Sequence, residues 1–192
     1  MNEYDDLIER VSARAGGSEE HRPPVSAKAL ATAEKRLGFP LHPLLAALYR
    51  RAGDGGYGPD YLLFPLLLRD HGPLHGTTAA EEDEDSVVDG YLARIPPPEA
   101  DTWWAWPQGV VPILHWGCAM IAAVDCLSED GTVLLFDPNA ITGQDVTGGW
   151  FVDAGSLAEW LETWLAGSGW YEEGTIDGEF TMAPWADAAS RL

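Results

Sequence analysis

The sequence predicts an α+β fold: a single domain with a mainly antiparallel sheet of about 5–6 strands flanked by helices. Three observations predict it. Helix-spaced apolar stripes come first along the chain, short strand-like runs follow one another in the second half, and a capped helix closes the series. Helices and strands that segregate in this way, without regular alternation, belong to α+β architectures. The 192 residues, 46% hydrophobic and with nine tryptophans, suffice for one packed core.

The elements follow in order. Asp5 to Arg14 reads as a helix that ends near Gly16-Gly17, and a polar, proline-bearing linker runs on to Pro24. Ser26 caps a second helix whose inward positions are Leu30, Ala33 and Leu37, and Gly38 terminates it. Pro43 opens a third helix with the apolar stripe Leu44, Leu45, Leu48 and Tyr49, and Arg50 and Arg51 complement the dipole of its last turn. The glycine-rich stretch after it, AGDGGYGP, raises the question of a phosphate loop. Such loops precede a helix, so that amide N–H groups face the anion. Here the loop follows a helix, no Gly-Lys-Ser/Thr appears, and Gly53 reads as a helix stop.

Asp60 to Leu68, DYLLFPLLL, reads as a buried strand with a bend or edge at Pro65. Ser86 to Ile95 reads as a helix broken by Pro96 to Pro98. Val110 to Leu114, Cys118 to Cys126 and Thr132 to Asp137 read as consecutive strands. Ser128 to Gly131 supplies the hairpin turn between the last two, and Gly149 to Val152 adds a further strand. Ser156 and Glu159 have capping-box spacing at the head of a final helix. Its face carries Leu157, Trp160, Leu161, Trp164 and Leu165, and Gly167 ends it. There are no internal repeats. The organisation expected is a helix and linker over 1–24, the α+β domain over 25–167, and a C-terminal extension over 168–192 that packs on the domain through Trp170 and Trp185.

Charge narrows the function classes. The formal net charge is -20, and between Ile95 and Ser190 stand 15 Asp and Glu with no Lys or Arg. Such a surface repels nucleic acid and anionic membranes, and it attracts a basic protein. The same acidity also serves plain solubility. No apolar run approaches the roughly 20 residues that cross a bilayer, and the acidic start MNEYDDLIERV is unlike a secretory signal, so a cytoplasmic location is expected. Were Cys118 and Cys126 on one strand, about 26 Å would separate them. Two reduced, buried thiols are therefore expected.

Few residue sets point to chemistry. The run Glu81, Glu82, Asp83, Glu84 and Asp85 either mimics a nucleic-acid backbone against a basic cleft or is a solvated loop whose charges favour the following helix N-terminus. It lacks the alternating ligands and glycine of a calcium loop. Trp103, Trp104 and Trp106 either anchor a partner or sugar ring, or fill the core. His71 and His75 have zinc-helix spacing, but Gly72 and Pro73 lie between them and no third ligand is evident, so no metal is expected. His115 and Cys118 would point to opposite faces of a strand. Glu159 and Glu162 are explained by an amphipathic helix. No nucleophile–base–orienter set emerges, and no enzyme or cofactor is expected.

The stretch Val25 to Gly56, VSAKALATAEKRLGFPLHPLLAALYRRAGDGG, resembles the opening module of the SUKH superfamily. That group contains the fungal Smi/Knr-type cell-wall-assembly regulators and many bacterial toxin-immunity proteins. The matching positions are Glu34, Leu37, Gly38, Leu41, Pro43, Leu48, Tyr49, Gly53, Gly55 and Gly56. The run from Val110 to Asp137 and SLAEWLETWL are similar to the family's later strands and closing helix, so the likeness spans about Val25 to Gly167. Two departures are Leu41-His42-Pro43 for the usual Leu-Pro pair and Asp54-Gly55-Gly56 for an Asn-Gly-Gly-like turn; residues 57–109 align with nothing in the family. The resemblance implies a protein-binding module. Its bacterial members commonly cover the active sites of toxins, many of them nucleases, and the arginine- and alanine-rich, lysine-poor composition favours that branch. The expected function is an immunity protein that docks a basic toxin through Glu81 to Asp85 and Trp103, Trp104 and Trp106. A small-ligand or glycan module on the tryptophans, or a cell-wall signalling scaffold, is the alternative.

Overall fold

The computed structural model describes residues 4–59, 62–68, 86–96, 105–168 and 182–192. Four helices lead: α1 (Asp5–Ala15), α2 (Ala27–Leu37), α3 (Pro43–Arg51) and α4 (Val87–Arg94). Then come strands β1 (Val110–Gly117), β2 (Met120–Asp125), β3 (Val133–Phe136) and β4 (Trp150–Ala154). Helix α5 (Leu157–Ala166), strand β5 (Ala183–Pro184) and helix α6 (Ala188–Arg191) complete the series. The strands form one antiparallel sheet in the order β1-β2-β3-β4-β5. The α+β expectation holds.

Local chemistry sets the helix ends. Ser26 Oγ accepts the Ala29 N–H, Ser86 Oγ that of Asp89, and Ser156 Oγ that of Glu159. Glu159 reaches back to the Gly155 N–H, one residue earlier than in a strict capping box. Gly38 and Gly167 end α2 and α5 in the left-handed conformation. The predicted apolar stripes are buried: Leu44, Leu45, Leu48 and Tyr49 on α3, and Leu157, Trp160, Leu161 and Trp164 on α5. Every residue of β2 and β3 is buried, so this sheet is covered on both faces in its centre. Burial of each large apolar side chain stabilises the fold by about 1.5–3 kcal/mol.

Segment 62–68 corrects the sequence reading. It is not a strand, and Asp60 and Tyr61 lie outside the described residues. Leu62 has φ +60 and Pro65 lacks a donor, and both oppose a ladder. The segment finds partners elsewhere. Phe64 N–H reaches Ile113 O on β1, Leu63 pairs with Tyr57 O and Gly56 N–H, and Tyr49 Oη donates to Phe64 O. The fifth strand is instead β5, which pairs Pro184 with Phe151 and Ala183 with Val152.

The glycine loop after α3 does more than stop a helix. Linker 18–25 lies across it: Arg22 N–H donates to Gly55 O, Asp54 N–H to Arg22 O, and Ser18 Oγ to Gly56 O. At Gly56, with φ +73, a Cβ would penetrate the Glu20 carbonyl. Ahead of that linker, α1 buries Leu7, Ile8, Val11 and Ala15 and packs on α3 and α5.

Cys118 is a second correction. It is exposed, not buried, because β1 ends at Gly117 and β2 begins only at Met120. Cys118 and Ala119 form the two-residue hairpin turn, with φ +48 and +63, the left-handed pair such a turn requires. Cys126 is partly buried, and both thiols are free.

Candidate functional site

Cations and carboxylates are distributed unevenly over the described residues. On the helical side five arginines are committed internally, while Lys28 and Lys35 of α2 are exposed. Arg10 pairs with Asp6 and Glu162, Arg36 with Asp89, and Arg51 with Asp5. Arg50 donates to Val25 O, and the Arg14 guanidinium lies 4.8 Å above the Trp164 ring while donating to Leu165 O. Arg10 holds the Glu162 carboxyl below its usual range. The sheet and its loops carry carboxylates only, and their sole described ion pair joins Asp125 to Arg191 of α6.

An antiparallel meander sends alternate connections to opposite ends, so these carboxylates gather in two places. At one end is the β2–β3 turn, with Leu127, Glu129 and Asp130 exposed. It is held from behind. Buried Asp125 accepts the Leu127 N–H and receives both terminal nitrogens of Arg191 at 3.1 Å, and Ser128 Oγ accepts the Thr132 N–H. His42 supplies the floor: its ring is 2% exposed, and its Nε2 lies 3.1 Å from Glu129 O. A carbonyl only accepts, so that nitrogen carries the proton. The ring also fills the space beside Gly131 that a Cβ would need. The head of α5 adjoins the turn, where Leu157 N–H donates to Asp130 O.

At the other end the β1–β2 turn meets the 137–149 connection. Asn139 Nδ2 donates to Cys118 O and to Asp137 Oδ1. Exposed Asp145 accepts the Thr147 hydroxyl and N–H, and these bonds hold its carboxyl below the usual range. Both ends therefore present fixed, solvated negative charge on a rigid sheet. Chemically this arrangement offers electrostatic recognition. Among the described residues no cluster of three or more His, Cys, Asp or Glu could hold a metal ion. His71 and His75 lie outside those residues.

The sequence-predicted contact residues divide. Glu81, Glu82, Asp83, Glu84, Asp85, Trp103 and Trp104 lie outside the described residues. Trp106 is described, and it corrects the prediction. The ring is 4% exposed, its Nε1 donates to Val110 O at 2.7 Å, and it packs on Phe136 and Trp150 at 5.5 and 4.8 Å between centroids. Trp106 is a core residue, because its one polar atom is satisfied inside and its ring completes an aromatic cluster with Trp150 and Trp185. The resemblance positions are architectural too. Glu34 Oε1 accepts the Leu41 N–H, and Tyr49 and Gly56 perform the bonds and close approach given above. Glu129, Asp130 and Asp145 carried no motif. Their signal in the sequence was only the absence of Lys and Arg around them.

No helix among the described residues is long and apolar enough to cross a membrane. Comparison with curated proteins gave no match. A family model, described as SMI1 / KNR4 family (SUKH-1), matches residues 24–163, from the end of the linker through most of α5. That interval contains the glycine loop, the first four strands of the sheet and both acidic ends, and it covers more than half of the chain. The chain therefore belongs to the SMI1/KNR4 (SUKH-1) family.

Proposed function

We propose that the protein is a non-enzymatic protein-binding module of the immunity type, which neutralises a basic toxin domain by docking an acidic surface onto it. The observation that carries this reading is the charge partition. Every described cation but Arg191 stands in the helical half, where Arg10, Arg36 and Arg51 form internal pairs and Lys28 and Lys35 are exposed on α2, while the sheet ends project Glu129, Asp130 and Asp145 with no basic neighbour on the sheet or its loops. A one-signed surface on a rigid frame accelerates encounter with an opposite charge and discriminates against acidic partners. Family membership supports a binding role, and the core position of Trp106 takes one ring away from the competing glycan-site reading.

The test is titration of the purified protein with a basic, nuclease-type toxin domain encoded in the same gene neighbourhood. Binding should weaken steeply between low and physiological salt. Reversal of charge at one sheet end, with Glu129→Lys and Asp130→Lys together, should slow association by about tenfold or more. Absence of binding, or binding indifferent to salt and to both reversals, overturns the proposal.

A further inference from the structure

We infer that docking runs through one of the two acidic ends, the β2–β3 turn, with Leu127 as its apolar anchor, and that this end fits a basic protein domain carrying an apolar recess bordered by Lys and Arg. This rests on the basic-partner reading of the acidic surface, and adds which end of the sheet meets the partner and through which side chain. Leu127 is 54% exposed, more than any other large apolar side chain among the described residues. The other exposed ones, Leu68, Leu92 and Ile95, belong to α4 or its surroundings on the helical side.

A single exposed leucine is ordinary, and it is the setting that sets Leu127 apart. The backbone around it is bonded almost residue by residue. Asp125 N–H donates to Thr132 O, Cys126 N–H to Gly109 O, and Ser128 N–H to Asp125 O. Leu127 N–H donates to Asp125 Oδ1, and the carbonyls of Glu129 and Asp130 accept from His42 and Leu157. The inner side of Leu127 rests on Gly109, where a Cβ would collide with Leu127 Cγ. The bare glycine thus seats the leucine while its outer half faces water. With the backbone spent, the turn offers the side chains of Leu127, Glu129 and Asp130. Arg191 behind it is taken up by Asp125 and Gln108 O. An apolar knob beside carboxylates matches a recess of the opposite pattern, and it repels acidic surfaces. A pre-set anchor also has little conformational freedom left to lose on binding. The far end has no such anchor, since its apex is Cys118-Ala119.

The experiment measures binding kinetics of the full chain with the same basic, nuclease-type toxin domain at several salt concentrations. Leu127→Ala should raise the dissociation rate about five- to tenfold and leave the association rate and its salt dependence as in the wild type, because the lost contact is apolar and short-ranged. Leu127→Met should restore most of the loss. Alkylation of Cys118 with a bulky maleimide, and Asp145→Lys at physiological salt, should each change the affinity by less than about threefold. A wild-type dissociation rate for Leu127→Ala, or binding blocked by the Cys118 adduct, overturns this inference and leaves the acidic-docking reading standing. No binding by the wild type, or binding indifferent to salt, overturns both. The adduct is made on the wild-type chain, so it decides which end docks even if a variant fails to fold.

Discussion

The backbone N–H of Leu66 donates to Oδ1 of Asp54 at 2.8 Å, which ties the middle of the glycine loop to a segment twelve residues on. Asp54 is 6% exposed, so this bond is shielded from water. Asp54→Ala leaves the Leu66 N–H without its acceptor. The expected loss is about 1–3 kcal/mol in urea unfolding, with Asp54→Asn the milder change.

Gly56 and Gly38 separate two reasons for glycine. Both have positive φ, but at Gly38 a Cβ would meet open space, whereas at Gly56 it would collide with the Glu20 carbonyl. Gly38→Ala should cost about 1 kcal/mol, the left-handed penalty alone. Gly56→Ala should cost clearly more and should also detach the linker, read as faster amide exchange at Arg22 and Asp54.

Arg191 and Asp125 join the chain's last helix to the end of β2. The Asp125 side chain is 4% exposed and that of Arg191 22%. Arg191→Ala leaves a buried carboxylate without its cation and should destabilise the protein by about 3 kcal/mol, the lower end for a broken buried pair, because the Leu127 N–H still serves Asp125. Thermal or urea unfolding measures it, and loss of the Trp185 environment should accompany it in near-ultraviolet circular dichroism.

How much of this was legible in the sequence depended on the range of the interaction. Ser26, Gly38, Ser156 and Gly167 act within one turn of where they stand, and each helix end was readable from them. Segment 62–68 misled because an apolar run looks the same whether it pairs in a sheet or is held by Tyr49, Asp54 and the glycine loop. Strand β5 is only Ala183 and Pro184, too short for any period. The Cys118-Ala119 turn lacks the Asn-Gly chemistry that announces such turns. Asp125 and Arg191 are 66 residues apart, and nothing local to either names the other. Of the candidate site, the sign of the charge was readable, but which carboxylates stand at the sheet ends required the register.

Thiol chemistry should distinguish the two cysteines. Cys118 is exposed in its turn, while burial pushes the Cys126 thiol up to about 12. A thiolate is the reactive form. In native protein at pH 8, one equivalent should react with an aromatic disulfide reagent within minutes and the second only after denaturant is added. Cys118→Ser should abolish the fast phase.

Acid should weaken the contact between α1 and α5. Arg10 holds Glu162 below its ordinary value of 4.5, so the stabilisation from this pair is present above that value and disappears as pH falls through the lowered one. Glu162→Gln should remove that part of the acid dependence. The pair is largely exposed, so its contribution should also shrink as salt is raised.

Because Arg191 lies 66 residues beyond Asp125, the Asp125 carboxylate stays without this cation until α6 has been synthesised, and the first four strands are made with that charge still bare. A chain cut just before α6 would keep its family-matched interval whole yet lack this electrostatic lock.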